Sequence, residues 1–290
     1  MTLSSRHHFI PEFFIKGFIG IDNKLWVFDK ELGKVQKLKK SPKQIFFEWN
    51  RNTFDINGFK TDFVEKLYQF SESKFAETHK KLIEEGVSVD ISYYEMFHLI
   101  YFVSSLYWRL PSRDNEVVDI SEFLKLSFKN IENKISDRAT LEKQLLEIQQ
   151  HPAYVSSSKL VKSITDYMSS KSSRELTNWK IYFSTQKNQQ IQLLSDNPII
   201  LRTKEENFLN SEMVLSLSKG KTLYYSKGEI KKAISPTNII NVDTLSFIQA
   251  DRYVCGVDAS YLEGISFFSK KFDSEEKVKR LKNQVFEIFN

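Results

Sequence analysis

The run Tyr93-Tyr94-Glu95-Met96-Phe97-His98-Leu99-Ile100-Tyr101-Phe102-Val103-Ser104-Ser105-Leu106-Tyr107-Trp108-Arg109-Leu110 decides the fold. Its apolar side chains cover most of a helical circumference, and a helix that is apolar nearly all round belongs at the centre of a protein. Ser92 and Glu95 stand three apart, a capping box in which each side chain satisfies a free N–H near the other. Pro111 stops the helix. The run contains Glu95, His98 and Arg109 and falls short of a membrane-spanning length.

Working outward, Thr61 to Glu85 predicts a long helix with Val64, Leu67, Phe75, Leu82 and Ile83 as its apolar stripe. Glu65, Glu72 and His79 recur every seven residues, so they share a second, polar stripe. Seven residues span about 10 Å of helix axis, too far for Glu65 and Glu72 to bind one ion together. Both also read simply as surface glutamates. Further helices are predicted over residues 120–135, 138–150, 157–169, 238–250 and 261–268. A last one is capped by Ser274, with Val278, Leu281, Val285 and Ile288 facing the core. The serine-rich stretches 156–158 and 169–173 read as loops or helix ends.

Strand patterns lie on either side of this helical body. Lys24 to Asp29 and Val35 to Leu38 flank a turn containing Gly33, a β-hairpin. Residues 179–184, 190–195, 199–201, 213–218 and 222–226 predict one antiparallel sheet, which the first hairpin would be able to join. The fold class is therefore α+β: a mainly helical body packed against an antiparallel sheet. With no long Gly/Pro-rich linker, residues 1–290 read as one domain with a helical insert at about 117–173.

Composition narrows the class. The 290 residues are 41% hydrophobic and 27% charged, ordinary for a soluble globular protein. The net charge of +5 permits a polyanionic partner without demanding one. Over residues 1–60, eleven Lys and Arg stand against six Asp and Glu, with Lys34, Lys37, Lys39, Lys40 and Lys43 close together. Such a run would face nucleic acid or serve as a solvated strand edge. A single cysteine, Cys255, excludes an internal disulfide and a cysteine-based zinc cage, and it fits a reducing cytoplasm. No apolar leader is visible, so a cytoplasmic location with no membrane partner is the expectation.

Phosphate-loop glycines, HExxH, CxxC and GxSxG patterns are all missing from the sequence. Chemistry would have to come from a scattered set. His7-His8-Phe9-Ile10-Pro11-Glu12-Phe13-Phe14 places His8 just before a short helix, Glu12 to Phe18, which Gly17 and Gly20 help to end. His7 reads as exposed. His8 with Glu65 or Glu72 and with Asp196 would suit a hard divalent ion such as Mg²⁺ or Mn²⁺. The same groups without metal would do acid–base work. Arg109 and Arg113 would meet a phosphate, or merely complement the helix dipole. Asp196, before Asn197-Pro198, would equally accept backbone N–H groups in a turn. His8 would equally be a cap or a core residue. His79, His98 and His151 read as structural.

Several stretches in order carry a resemblance: the His7 to Phe14 opening, Lys24 to Asp29, Glu65 to Glu72, Arg109-Leu110-Pro111-Ser112-Arg113, Leu194 to Pro198 and Leu215 to Ser218. Together they resemble the family named domain of unknown function 4238. The resemblance implies a bacterial protein, some of whose relatives are associated with antiphage defence, and brings no established catalytic residues. His8, Glu72, Asp196 and Arg109 match recurring polar positions of that family. Two functions follow as expectations. One is a metal-assisted nuclease acting in phage defence through His8, Glu72, Asp196 and Arg109. The other is a non-catalytic protein that senses a phage component or nucleic acid. The first requires His8 and Asp196 to line one cavity. The second requires an exposed apolar or basic groove and no clustered acids.

Overall fold

The computed structural model describes residues 6–56, 59–84, 91–116, 152–183, 190–229 and 234–289. The predicted helices at 120–135 and 138–150, and His151, lie outside the described residues. The fold is α+β, with helices packed against antiparallel sheets.

The central helix forms as its sequence requires. Helix α3, Tyr93–Arg109, opens on the Ser92–Glu95 capping box, and Leu99, Ile100, Val103, Leu106 and Tyr107 are buried. It packs against α2, Phe63–Glu84, and α4, Pro152–Ser169. Helix α4 starts five residues before the sequence suggested, so Ser156 and Ser158 are helical. Ser158 returns its hydroxyl to the Tyr154 carbonyl (3.1 Å), the local bond by which serine satisfies itself within a helix.

The short helix α1, Glu12–Ile15, continues as a 3₁₀ turn, Lys16–Phe18. Pro11 caps it rather than occupying its first turn, with ψ at 140°. Phe13 and Phe14 anchor it in an aromatic nest: the Phe14 and Phe102 rings lie 5.1 Å apart, and Phe75 stacks on Phe102 at 4.3 Å. His79 of α2 completes the nest, its Nε2–H donating to the Leu217 carbonyl (2.9 Å). Burial lowers its pKa to about 4, so the imidazole is neutral. Gly17 is required here by close approach: a Cβ would sit 3.1 Å from the Leu217 oxygen and 3.2 Å from the His79 ring.

Two four-stranded sheets form where one was expected. Strands β7 (Trp179–Phe183), β9 (Ile200–Leu201), β10 (Met213–Ser218) and β11 (Lys221–Tyr225) pair in the order β7-β11-β10-β9. The first hairpin, β2 (Trp26–Asp29) and β3 (Lys34–Val35), joins a different sheet. Its order is β3-β2-β12-β8, with β8 at Leu194–Ser195 and β12 at Tyr253–Gly256. Two strand pairs close to α2 complete the described architecture. One is β1 (Arg6–His8) with β4 (Phe47–Trp49), and the other is β5 (Phe54–Ile56) with β6 (Phe59–Thr61). The C-terminal helices are α5 (Pro236–Gln249), α6 (Ala259–Ser269) and α7 (Glu275–Phe286), the last capped by Ser274. No helix among the described residues is long and apolar enough to cross a membrane.

Asp243 of α5 is fully buried and ties this region together. Its carboxylate accepts the Leu193 N–H (3.0 Å) and the Tyr261 hydroxyl (2.7 Å). Burial pushes its pKa up to about 7 from an ordinary 3.8. The folded protein then holds a proton that the unfolded chain releases, so this group costs stability as pH rises from about 4 towards 7. Asp243→Asn removes that dependence. Urea unfolding should show the variant gaining on the wild type by up to about 1.4 kcal/mol per pH unit between pH 5 and 6.5.

Candidate functional site

His8 lies at the end of β1, a strand the sequence did not reveal, directly opposite Phe47 of β4. Its Nδ1 faces Glu12 Oε1 at 3.7 Å, and the Pro42 backbone favours the charged ring. Its Nε2 is buried without a hydrogen-bond partner. The proton therefore belongs on Nδ1, which faces the Glu12 carboxylate, and Nε2 carries the free lone pair. Burial lowers the His8 pKa most, and the Arg109 charge lowers it further against the pull of Glu12 and Glu65. The result is a neutral, oriented imidazole.

His7 is wholly buried, contrary to expectation. Alternation along β1 turns it to the opposite face from His8. There its Nδ1 accepts the Asn52 N–H (2.8 Å), and Asn52 Nδ2 donates to Glu65 (2.7 Å). Glu65 also pairs with Arg109 Nη2 (3.5 Å), while Arg109 Nη1 bonds Glu72 and the guanidinium lies 4.4 Å from the Tyr68 ring centroid. The polar stripe of α2 thus faces inward onto the last turn of α3. Glu65 and His79 are buried and Glu72 is mostly covered, so the surface-glutamate reading is corrected. Arg109 is 4% exposed and spent on the two glutamates and Tyr68, so it is not presented to a phosphate.

A second buried charge cluster adjoins this one. Arg51 pairs with Glu48 and Asp114, and Lys159 pairs with Asp114 and donates to the Leu110 carbonyl (2.6 Å). Burial, then the nearby Arg51 charge, brings the Lys159 pKa down to about 8. Arg113 sits over the Tyr107 ring and pairs with Glu116. Arg51, Asn52 and Lys159 have no sequence signal of their own, since only the fold brings them to Asp114 and Glu65.

Asp196 is engaged elsewhere. Its two oxygens accept the N–H groups of Asp251 (2.8 Å), Arg252 (2.7 Å) and Tyr253 (2.7 Å). Burial raises its pKa against the pull of those three donors. The charges that chiefly act on His8 are Glu12, Arg109 and Glu65. His8, Glu72 and Asp196 therefore do not assemble as a ligand set: Glu72 is taken by Arg109, and Asp196 by backbone. Among the described residues, no group of three or more His, Cys, Asp or Glu gathers in a way that would hold a metal ion. The donors present do not fit Mg²⁺ or Mn²⁺.

A buried neutral histidine beside a compensated arginine–glutamate cluster, on an α+β scaffold, defines a polar site without any of the familiar catalytic signatures. The family model described as a protein of unknown function, DUF4238, matches residues 6–260, and the chain belongs to that family. No curated protein matches the chain, and no solved structure does.

Proposed function

We propose that this chain is a bacterial antiphage-defence effector that cleaves phosphodiester bonds with His8 as general base. The observation that carries this reading is the unpartnered Nε2 of a ring whose Nδ1 faces the Glu12 carboxylate at 3.7 Å. Such a base takes the proton of an attacking water or hydroxyl as the bond to phosphorus forms, and the P–O bond to the leaving oxygen breaks with that oxygen taking a proton from solvent or from the protonated imidazole. Nε2 exposes less than 1 Å² of surface, so a substrate meets it on displacing the side chains around it. Arg109 holds Glu65 and Glu72 in place and sets the field at His8. The surplus of Lys and Arg over residues 1–60 supports a polyanionic substrate, and the defence setting is the one implied by the family resemblance.

The test is cleavage of labelled single-stranded and duplex RNA and DNA by purified full-length protein, with Mg²⁺, with Mn²⁺ and with EDTA. Cleavage should persist in EDTA and fall at least about 100-fold in His8→Ala, with an unchanged melting temperature. Equal rates in the two proteins, or no cleavage of any substrate, would refute the reading.

A specific observation favours the second reading, a non-catalytic sensor. An apolar cavity of about 630 Å³ opens between α2, α3 and α4, where Phe70 (72% exposed) and Met168 (69% exposed) face solvent. Clustered acids around Arg109 stand against it. Full protection of cells by folded His8→Ala would decide for the sensor.

A further inference from the structure

The β1–β4 ribbon has two faces of opposite character. Arg6 stands opposite Trp49 and His8 opposite Phe47, while His7 stands opposite Glu48. Directly opposed residues share a face, so Arg6, His8, Phe47 and Trp49 lie together. The contacts agree: the Arg6 guanidinium is 5.2 Å from the Phe47 ring centroid and 5.1 Å from that of Trp49, and His8 and Phe47 are 5.7 Å apart. Trp49 is 59% exposed. Strand β4 is bracketed by two left-handed residues, Phe46 (φ 55°) and Asn50 (φ 55°). A bulky aromatic seldom holds that conformation, and such strain concentrates where a surface is aimed at a ligand. Phe47 also lines a half-polar cleft of about 260 Å³ with Gln36, Lys40, Gln44 and Tyr253. That is below the roughly 300–1,000 Å³ of drug-sized pockets.

An exposed indole beside a half-buried phenyl ring, an interleaved guanidinium and a small cleft with amide groups are elements that hold unpaired bases. Lys37 and Lys43 are exposed and Lys40 half-exposed in the segment leading into β4, which adds the charge complement of a phosphate backbone. We propose that this face binds single-stranded nucleic acid. One base stacks on Trp49, a neighbour enters the cleft beside Phe47, and the strand between them passes His8. The proposal deepens the nuclease reading and rests on it only for what happens at His8.

The experiment measures binding apart from cleavage. Full-length His8→Ala protein in EDTA is titrated into fluorescein-labelled 12-nucleotide oligouridylate, oligothymidylate and a duplex of equal length, followed by anisotropy. Single strands should bind at least about tenfold tighter than the duplex. Adding Trp49→Ala should weaken them at least about tenfold, while Trp49→Phe stays within about threefold, since a phenyl ring still stacks. Equal binding of duplex and single strand would overturn the proposal, as would a Trp49→Ala effect below about twofold. So would failure to bind any oligonucleotide, which would leave a protein as the occupant of this face. Intact, Trp49-dependent binding without cleavage by the wild type fails the nuclease reading alone. Cleavage indifferent to Trp49 fails this proposal alone.

Discussion

Arg109→Ala should lower the stability of this protein by about 3–5 kcal/mol, the usual cost of removing one partner from a buried ion pair. The truncation strands Glu65 and Glu72, of which 9% and 15% of the side chain is exposed, with no other cation among the described residues bonded to them. It also removes the guanidinium from the buried Tyr68 ring. Arg109→Lys should recover only part of the loss, because a point ammonium cannot bond two carboxylates and lie flat over a ring as a guanidinium does. The sign with pH is that of an ordinary ion pair. Carboxylates buried without their cation have raised pKa values, so the variant's deficit should shrink towards acid pH, where they are protonated. Combining Arg109→Met with Glu65→Gln and Glu72→Gln should restore more stability than Arg109→Met alone retains. Urea unfolding of the wild type and the four variants at neutral and acid pH measures all of this. A wild-type midpoint for Arg109→Ala would mean that the guanidinium does not compensate the two glutamates.

This cluster marks where the sequence was readable and where it stopped. Helix α3 was legible because its burial is nearly complete round the axis and its start is written in Ser92 and Glu95. The seven-residue spacing showed that Glu65, Glu72 and His79 share a face. It did not show which way that face turns, because the deciding partners, Arg109 and Leu217, are 37 to 138 positions away. Strands β1 and β4 are three residues each, too short for alternation to register, and they pair across about forty residues of chain. Strand β12 is four residues between two helices, with Val254 and Cys255 buried on successive faces, so it reads neither as alternation nor as a turn-bounded strand. With β12 silent in the sequence, nothing separates β8 from the strands of the other sheet. His8 was found through its neighbours, Pro11 and the two phenylalanines. The buried state of His7 follows only from pairing, since one residue along a strand exchanges outside for inside.

Asp196→Ala should unfold the protein more readily, and it should do so without a specific effect on chemistry at His8. Three N–H donors, from Asp251, Arg252 and Tyr253, converge on this carboxylate, which is 5% exposed. Each donor left unpaired away from water costs about 1–3 kcal/mol, and partial relaxation of the loop puts the total at about 3–6 kcal/mol. At about 2–4 °C per kcal/mol for a chain of this size, the melting temperature falls by roughly 6–24 °C. Asp251 and Arg252 sit in the connection from α5 to β12 and Tyr253 opens β12, which pairs with both β2 and β8, so the loss reaches the whole second sheet. Lys30 reinforces the same corner by donating to the carbonyls of Phe247 (3.0 Å), Ile248 (3.1 Å) and Ala250. Asp196→Asn keeps one acceptor oxygen and should fall between wild type and alanine. Oligonucleotide cleavage assayed well below the lowered melting temperature should stay within a few-fold of wild type in both variants. The contrary pattern, an unchanged melting temperature with cleavage abolished, would mean that this carboxylate leaves its backbone donors during turnover and belongs to the reacting groups after all.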